Sequence, residues 1–242
     1  MPDEIDKAMI SVDGLTAYLA RPAGGSSAGM LMLPMVTGVG VQVREWADEL
    51  ARSGVTALSW DPWEGRPSSD ETPMDMLYGW MGELDDEKCL ADQARLFDHL
   101  LGKLGCDRVG VMGWCLGGRF ALLLGGRDAR PANVIAYHPT VPGRPRPNHT
   151  LDAVEHCASI QAPVLMIYPG ADDLVPPESF QRLQAALQSR ASGPSMVHVY
   201  PGAEHGFASK MRHGNPVNAE AFALSWPQVM SFIHATTSGT DR

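Results

Sequence analysis

A cysteine stands between two glycines in Gly113-Trp114-Cys115-Leu116-Gly117, directly after the apolar run of residues 108–112 and before the helical stretch of residues 120–124. Strand, sharp turn and helix in that order make a nucleophile elbow: small flanking residues let the chain fold back tightly, and the apical side chain projects above the sheet edge. A cysteine at that apex is suited to acyl transfer. The plainer reading is a buried structural thiol, because free cysteine packs as a small hydrophobe. As a nucleophile the thiol must ionise, so it needs a base within reach, and the base needs an acid that fixes its tautomer.

The chain order expected after an elbow is acid, then histidine, each on a loop following a strand. Two such loops are present. Residues 164–168 are followed by Pro169-Gly170-Ala171-Asp172-Asp173-Leu174-Val175-Pro176, and residues 197–200 by Pro201-Gly202-Ala203-Glu204-His205-Gly206-Phe207. Asp172 and Asp173 are both candidate acids. Of eight histidines, only His205 combines a strand-end loop, small neighbours and the expected order. His99 falls in a helix and His198 in a strand, while His149, His156, His213 and His234 fall in loops or near the end. His138 follows a strand at the pocket level.

These residues need a sheet to hold them. Short β-rich runs alternate with helical periodicity, which predicts an α/β fold, a mostly parallel sheet with helices on both faces. Eight strands are expected, at residues 8–12, 15–20, 30–33, 55–60, 108–112, 133–137, 164–168 and 197–200. Asp13-Gly14 between the first two is a tight-hairpin signal, so the second strand runs antiparallel to most of the sheet. Val43, Trp46 and Leu50 mark a helix ending at Gly54, and Leu90, Ala94, Phe97, Leu101 and Leu104 mark another. Phe180, Leu183 and Leu187 mark a third, and Phe222, Trp226, Val229 and Ile233 a last one that Pro227 is expected to kink or restart. Residues 141–148, rich in proline and carrying Arg144 and Arg146, form an irregular loop placed to overhang the site.

Composition narrows the functions. A single domain over residues 1–242 is expected, since 44% hydrophobic content supports one large core. A formal charge of −9 argues against nucleic acid or anionic membrane as partner, because both attract clustered Lys and Arg. The acidic start, Met1 to Asp6, lacks the basic character of a signal peptide, and no apolar run approaches the ~20 residues that span a bilayer, so a cytoplasmic location is expected. The four cysteines (Cys89, Cys106, Cys115, Cys157) fit reduced thiols better than a disulfide scaffold or zinc site. Nor is there a spacing such as His-Glu-x-x-His, so neither metal nor cofactor is expected.

The three motifs, Gly-Trp-Cys-Leu-Gly-Gly at 113–118, Gly-Ala-Asp-Asp-Leu-Val-Pro at 170–176 and Pro-Gly-Ala-Glu-His-Gly-Phe at 201–207, together resemble those of the dienelactone hydrolase family of the α/β-hydrolase fold. The resemblance runs from about Met30 to the final helix. It implies Cys115 as nucleophile, His205 as base and Asp172 rather than Asp173 as its orienter, with the backbone N–H groups of Leu116 and Val36 forming an oxyanion hole. It also exposes departures. Dienelactone-cleaving members carry a glutamate where this chain has Met35, and carboxylate-binding arginines where it has Pro73 and Ser209. The resulting expectation is a neutral pocket, unless Arg66, Arg119, Arg144, Lys210 or Arg212 supplies the charge. Trp60, Trp63, Trp114, Tyr137, His138 and Phe207, at or beside strand ends, are candidate pocket walls together with Met35.

The expected activity is hydrolysis of a small-molecule activated ester or lactone through an acyl-cysteine. The alternatives are a broad carboxylesterase or thioesterase, or a non-catalytic ligand-binding protein on the same scaffold.

Overall fold

A computed structural model describes residues 4–69 and 71–238, so Met1, Pro2 and Asp3 of the acidic start lie outside the described residues. Its eight strands are β1 (Ile5–Val12), β2 (Leu15–Pro22), β3 (Ala28–Leu33), β4 (Thr56–Trp60), β5 (Arg108–Trp114), β6 (Val134–Tyr137), β7 (Val164–Pro169) and β8 (Ser195–Tyr200). They form one sheet in the order β1-β2-β4-β3-β5-β6-β7-β8. β2 pairs antiparallel with both β1 and β4, and every pairing from β4 to β8 is parallel. The hairpin is built as its sequence demands. Asp13 and Gly14 both take positive φ, 49° and 86°, which matches the twist of the flanking strands and sets Val12 opposite Leu15.

Parallel strands need crossovers, and the helices that supply them cover both faces. These are α1 (Val41–Arg52), α2 (Met74–Glu83), α3 (Asp86–Gly102), α4 (Leu116–Arg127), α5 (Ala153–Ala158), α6 (Pro177–Gln188) and α7 (Pro216–Thr237), with a short 3₁₀ turn at Lys210–Arg212. Strand side chains alternate between two cores. Leu31, Leu33, Val109 and Val111 pack against α3 and α4 through Phe97 and Phe120. Met30, Met32, Met112 and Trp114 pack against α1 and α7 through Trp46, Trp226 and Ile233. Both faces being covered, β3 is buried at all six positions.

Helix ends follow local chemistry. Asp85 caps α3 by accepting the N–H of Lys88, and Asn215 caps α7 by accepting that of Val217 ahead of a proline at the first turn. Pro227 does not restart the last helix, which runs unbroken from Pro216 to Thr237. Trp226, Val229 and Ile233 are buried on either side of it, so packing outweighs the one backbone hydrogen bond that the proline removes. Among the described residues no helix is long and apolar enough to cross a membrane.

One buried ion pair ties the helix after Cys115 to its neighbours. Arg119 of α4 donates two 2.7 Å bonds to the Asp86 carboxylate at the start of α3 and a third to the Leu151 carbonyl. Both side chains are almost wholly buried. Removing one partner strands the other charge in the core. Arg119→Ala is therefore expected to lower stability by about 3–5 kcal/mol in urea unfolding. A loss below about 1 kcal/mol, typical of an exposed pair, would show that the pair carries no such weight.

Candidate active site

β5 ends at Trp114, Cys115 occupies the turn with φ 53° and ψ −113°, and α4 begins at the next residue. A positive φ at a non-glycine residue costs energy and persists only where the surroundings impose it. Here two close backbone approaches impose it. A Cβ at Gly113 would run into the Gly117 carbonyl, and one at Gly117 would run into the Leu33 carbonyl. The Gly117 N–H donates to the Pro34 carbonyl at 3.1 Å, and the Cys115 N–H to Tyr137 at 3.0 Å. The thiol emerges above the sheet, where its Sγ lies 3.1 Å from the Thr140 hydroxyl.

The acid and histidine loops are stitched together by backbone. Gly170 N–H donates to Tyr200 and Ala171 N–H to Ala203, both at 2.9 Å. Asp172 Oδ1 accepts the N–H groups of Leu174 and Val175, which aims Oδ2 at His205 Nδ1, 2.8 Å away. That bond assigns the proton to Nδ1 and leaves Nε2 as the basic nitrogen, buried and without a partner among the described residues. Asp173, the other candidate acid, is exposed. The Asp172 side chain is buried.

Electrostatics bind thiol and imidazole into one unit. Burial opposes ionisation of Cys115, but the His205 charge, reinforced by the Thr140 hydroxyl and the Leu116 N–H, brings the thiol below its ordinary value. Burial likewise opposes charge on His205, yet the Cys115 charge and the Asp172 carboxylate raise it well above the usual imidazole range. The favoured state between those two limits is thiolate and imidazolium.

Leu116 follows Cys115 in the chain, and Val36 lines the same cleft as Cys115. The Leu116 N–H is the first of α4, where the helix dipole favours negative charge. The peptide carrying the Val36 N–H is held by its other end: the Met35 carbonyl accepts the Gly38 N–H at 2.9 Å. Trp63 Nε1 steadies the next peptide through a 3.2 Å bond to the Val36 carbonyl. Gly38, with φ 72°, must be glycine, because a Cβ there would sit 2.6 Å from the Trp63 ring.

Above Cys115 and His205 lies a cleft of about 600 Å³. Met35 and Val36 line it, but Trp60, Trp63, Trp114, Tyr137, His138 and Phe207 do not. Trp114 stacks on Trp46 with centroids 4.4 Å apart, Trp60 meets Phe120 edge-on, and Tyr137 bonds to Ser225. Strand side chains point to the sheet faces rather than off its end, so these aromatics are core. Phe207 is fully buried. His138, also wholly buried and kept neutral by burial and by the His205 charge, sits behind the His205 imidazole with ring centroids 5.1 Å apart.

Sequence reasoning missed Thr140 and the walls contributed by α2, by Leu174 and by Met211. The apolar run of α2 was a usable signal; its position beside Cys115 was not. The neutral-pocket expectation carried an exception for relocated cations, and two of the five it named are at the cleft. Arg66 pairs with Glu83, Lys210 with Glu45 and Arg119 with Asp86, but Arg144 and Arg212 line the cleft, joined by Arg146. Pro73 caps α2 outside the cleft, and Ser209 is in its wall.

The family model for the dienelactone hydrolase family matches residues 15–237. The chain belongs to that family. A Rhodococcus opacus carboxymethylenebutenolidase is 29% identical over 211 residues, 86% of this chain and 81% of its own length. A Salmonella typhi protein provisionally named carboxymethylenebutenolidase is 28% identical over 84% of this chain and 76% of its own. A Klebsiella pneumoniae structure, provisionally assigned as a dienelactone hydrolase, superposes with a TM-score of 0.85 at 21% identity, covering 96% of this chain and 99% of that one. At that identity the structural likeness is one of fold, the α/β-hydrolase fold expected for a dienelactone hydrolase family member.

The coupled pair has a measurable signature. Cys115 is expected to react with iodoacetamide at pH values below the ordinary thiol range, losing reactivity as pH falls through its lowered pKa. His205→Ala removes the charge that outweighs burial, so the labelling rate near pH 7 should drop at least ~10-fold. Equal rates in the two proteins would show that His205 does not hold the thiolate.

Proposed function

We propose that this dienelactone hydrolase family member cleaves an activated ester or lactone, with Cys115 as nucleophile, His205 as acid and base, and Asp172 as orienter. The observation that carries the reading is the 2.8 Å bond from His205 Nδ1 to buried Asp172, made beneath the same cleft into which the elbow presents Cys115.

The cycle begins with the Cys115 thiolate attacking the carbonyl carbon. The developing oxyanion is met by the N–H groups of Leu116 and Val36. Collapse of the adduct breaks the ester C–O bond, the departing oxygen takes the proton from His205 Nε2, and a thioester remains on Cys115. His205, neutral again, then removes a proton from water as that water attacks the thioester; the thiolate leaves and the acid product is released. Asp172 stabilises the imidazolium at both stages.

The nucleophile limits the substrate. A tetrahedral adduct expels its better leaving group, and thiolate leaves more readily than an ordinary alkoxide or an amide nitrogen. Enol-lactones, aryl esters and thioesters are suitable; peptides and simple alkyl esters are poor. A second reading, a broad carboxylesterase or thioesterase, is favoured by the cleft volume of about 600 Å³, more than a single small lactone needs. Relative kcat/KM values across enol-lactones, p-nitrophenyl esters and acyl-CoAs separate the two.

Cys115→Ala is expected to abolish turnover while keeping the melting temperature. His205→Ala should reduce kcat by at least ~10³-fold, and Asp172→Asn by less, since the imidazole remains but in the wrong tautomer. Asp173→Asn should be close to neutral. Full activity in Cys115→Ala, or a larger loss in Asp173→Asn than in Asp172→Asn, would overturn the assignment.

A further inference from the structure

The chain leaving β6 is bracketed onto the elbow. The Cys115 N–H donates to the Tyr137 carbonyl at the end of β6, and the Thr140 N–H donates back to the Cys115 carbonyl, both at 3.0 Å. His138, between them, takes a positive φ of 35° and donates its N–H to Ile167 of β7 at 2.8 Å. A non-glycine residue in that region is strained, and it persists because these three bonds fix the chain on either side. The first turn of α4 closes the bracket: a Cβ at Gly118 would stand 3.0 Å from Pro139 Cα and from the Tyr137 carbonyl oxygen. Backbone contacts alone thus set the place of Thr140.

The consequence is felt at the sulfur. Thr140 lines the cleft beside Cys115, with its Oγ1 3.1 Å from Sγ. His205 Nε2 has no hydrogen-bond partner among the described residues. Hydroxyl and thiol can each donate, but a charged sulfur only accepts, so the hydroxyl proton must then point to it. A β-branched side chain has few χ1 wells, and on a fixed backbone its hydroxyl has little freedom to turn away. The groups that carry charge or exchange protons around the sulfur are His205, His138 behind it, and His149, Arg144, Arg146 and Arg212 in the cleft wall. Thr140 differs from all of them by giving the sulfur a hydrogen bond without a charge.

We propose that Thr140 is a further catalytic residue, whose hydroxyl donates to the Cys115 sulfur whenever that sulfur is charged, at rest and again as the thioester breaks. This rests on the reading of Cys115 as the acylated nucleophile. In acylation the sulfur gives an electron pair to the carbonyl carbon and loses its charge, so it becomes a poor acceptor and the bond to Thr140 weakens. In deacylation water adds to that carbon while His205 Nε2 takes the water proton. The C–S bond then breaks, its electron pair returns to sulfur, and the hydroxyl bond forms again. Thr140 keeps its own proton throughout.

Only an interaction that is stronger in the transition state than in the ground state accelerates a step. For the attack, the hydroxyl bond stabilises the ground state; for expulsion of the thiolate, it strengthens as the charge develops. The hydroxyl therefore raises the thiolate fraction and speeds departure, and it costs the sulfur some nucleophilicity. The Leu116 N–H also favours the charged sulfur, but in the cycle above it turns to the oxyanion once attack begins. Thr140 is then the donor left to the sulfur alone.

The test sets the unaltered protein beside Thr140→Val, which removes the hydroxyl at nearly constant shape, and Thr140→Ser, which restores it. Iodoacetamide labelling of Cys115 across pH should show its inflection about 1 pH unit higher in Thr140→Val, with the high-pH plateau undiminished, and back in place in Thr140→Ser. A merely structural role would lower the plateau or the melting temperature and leave the inflection where it was. With p-nitrophenyl acetate, acyl-Cys115 read by mass spectrometry should accumulate in Thr140→Val, its breakdown at least ~5-fold slower. An unmoved inflection overturns the proposal, as does an unaltered breakdown rate. Should Thr140→Val fail to fold, Thr140→Ala against Thr140→Ser reads the same two quantities. Turnover that persists in Cys115→Ala instead indicts the nucleophile and with it the role in deacylation, while the labelling inflection still decides whether the hydroxyl holds the thiolate.

Discussion

The Gly117 amide meets the Pro34 carbonyl with no side chain between them. That approach of α4 to the end of β3 is the constraint on which the rest of the site depends. It leaves Cys115 no backbone conformation but a strained one, and it locks the loop bearing Val36 to the loop bearing Cys115. The loops bearing Cys115 and Val36 are thus one rigid piece, set by backbone contacts that any side chain at position 113 or 117 would break. The local strain is offset by the surrounding sheet, where the inner parallel strands β3 to β7 are buried on both faces.

The second rigid piece is the acid and histidine pair, joined by two backbone bonds between the loops after β7 and β8. Between the pieces the link is electrostatic. Each charge favours the other, with Asp172 adding its support to His205, in a setting whose burial opposes both. His138 supports this from below: it adds bulk behind His205 without adding a competing charge.

Much of this was legible in the sequence because it is local. An elbow, a hairpin turn and a loop after a strand are each written within a few residues, and all eight strands fall where alternation and turn residues put them. Choosing Asp172 over Asp173 was not local; it needed the family resemblance, and in three dimensions it turns on which carboxylate is buried against His205. Trp114 and Tyr137 misled for a physical reason. They are neighbours in register on adjacent strands, and alternation turns both rings into the layer under α1 and α7. The cleft walls were illegible because α2, the loop of residues 141–148 and Met211 meet only through the fold. At Pro227 the helix is not restarted, since tertiary packing outweighs the local break signal there.

The cleft also concentrates sulfur. Met35, Met74, Met81 and Met211 share one cavity with Cys115, the thiol whose lowered pKa favours the reactive thiolate. Thiolate character is what makes a cysteine susceptible to peroxide, and thioethers follow it on the oxidation ladder. Sulfenic acid at Cys115 would block acylation and remain reversible by thiols, whereas sulfoxides on the wall would convert its apolar surface into a polar one. The same methionines that shape the cavity wall make it sensitive to oxidants.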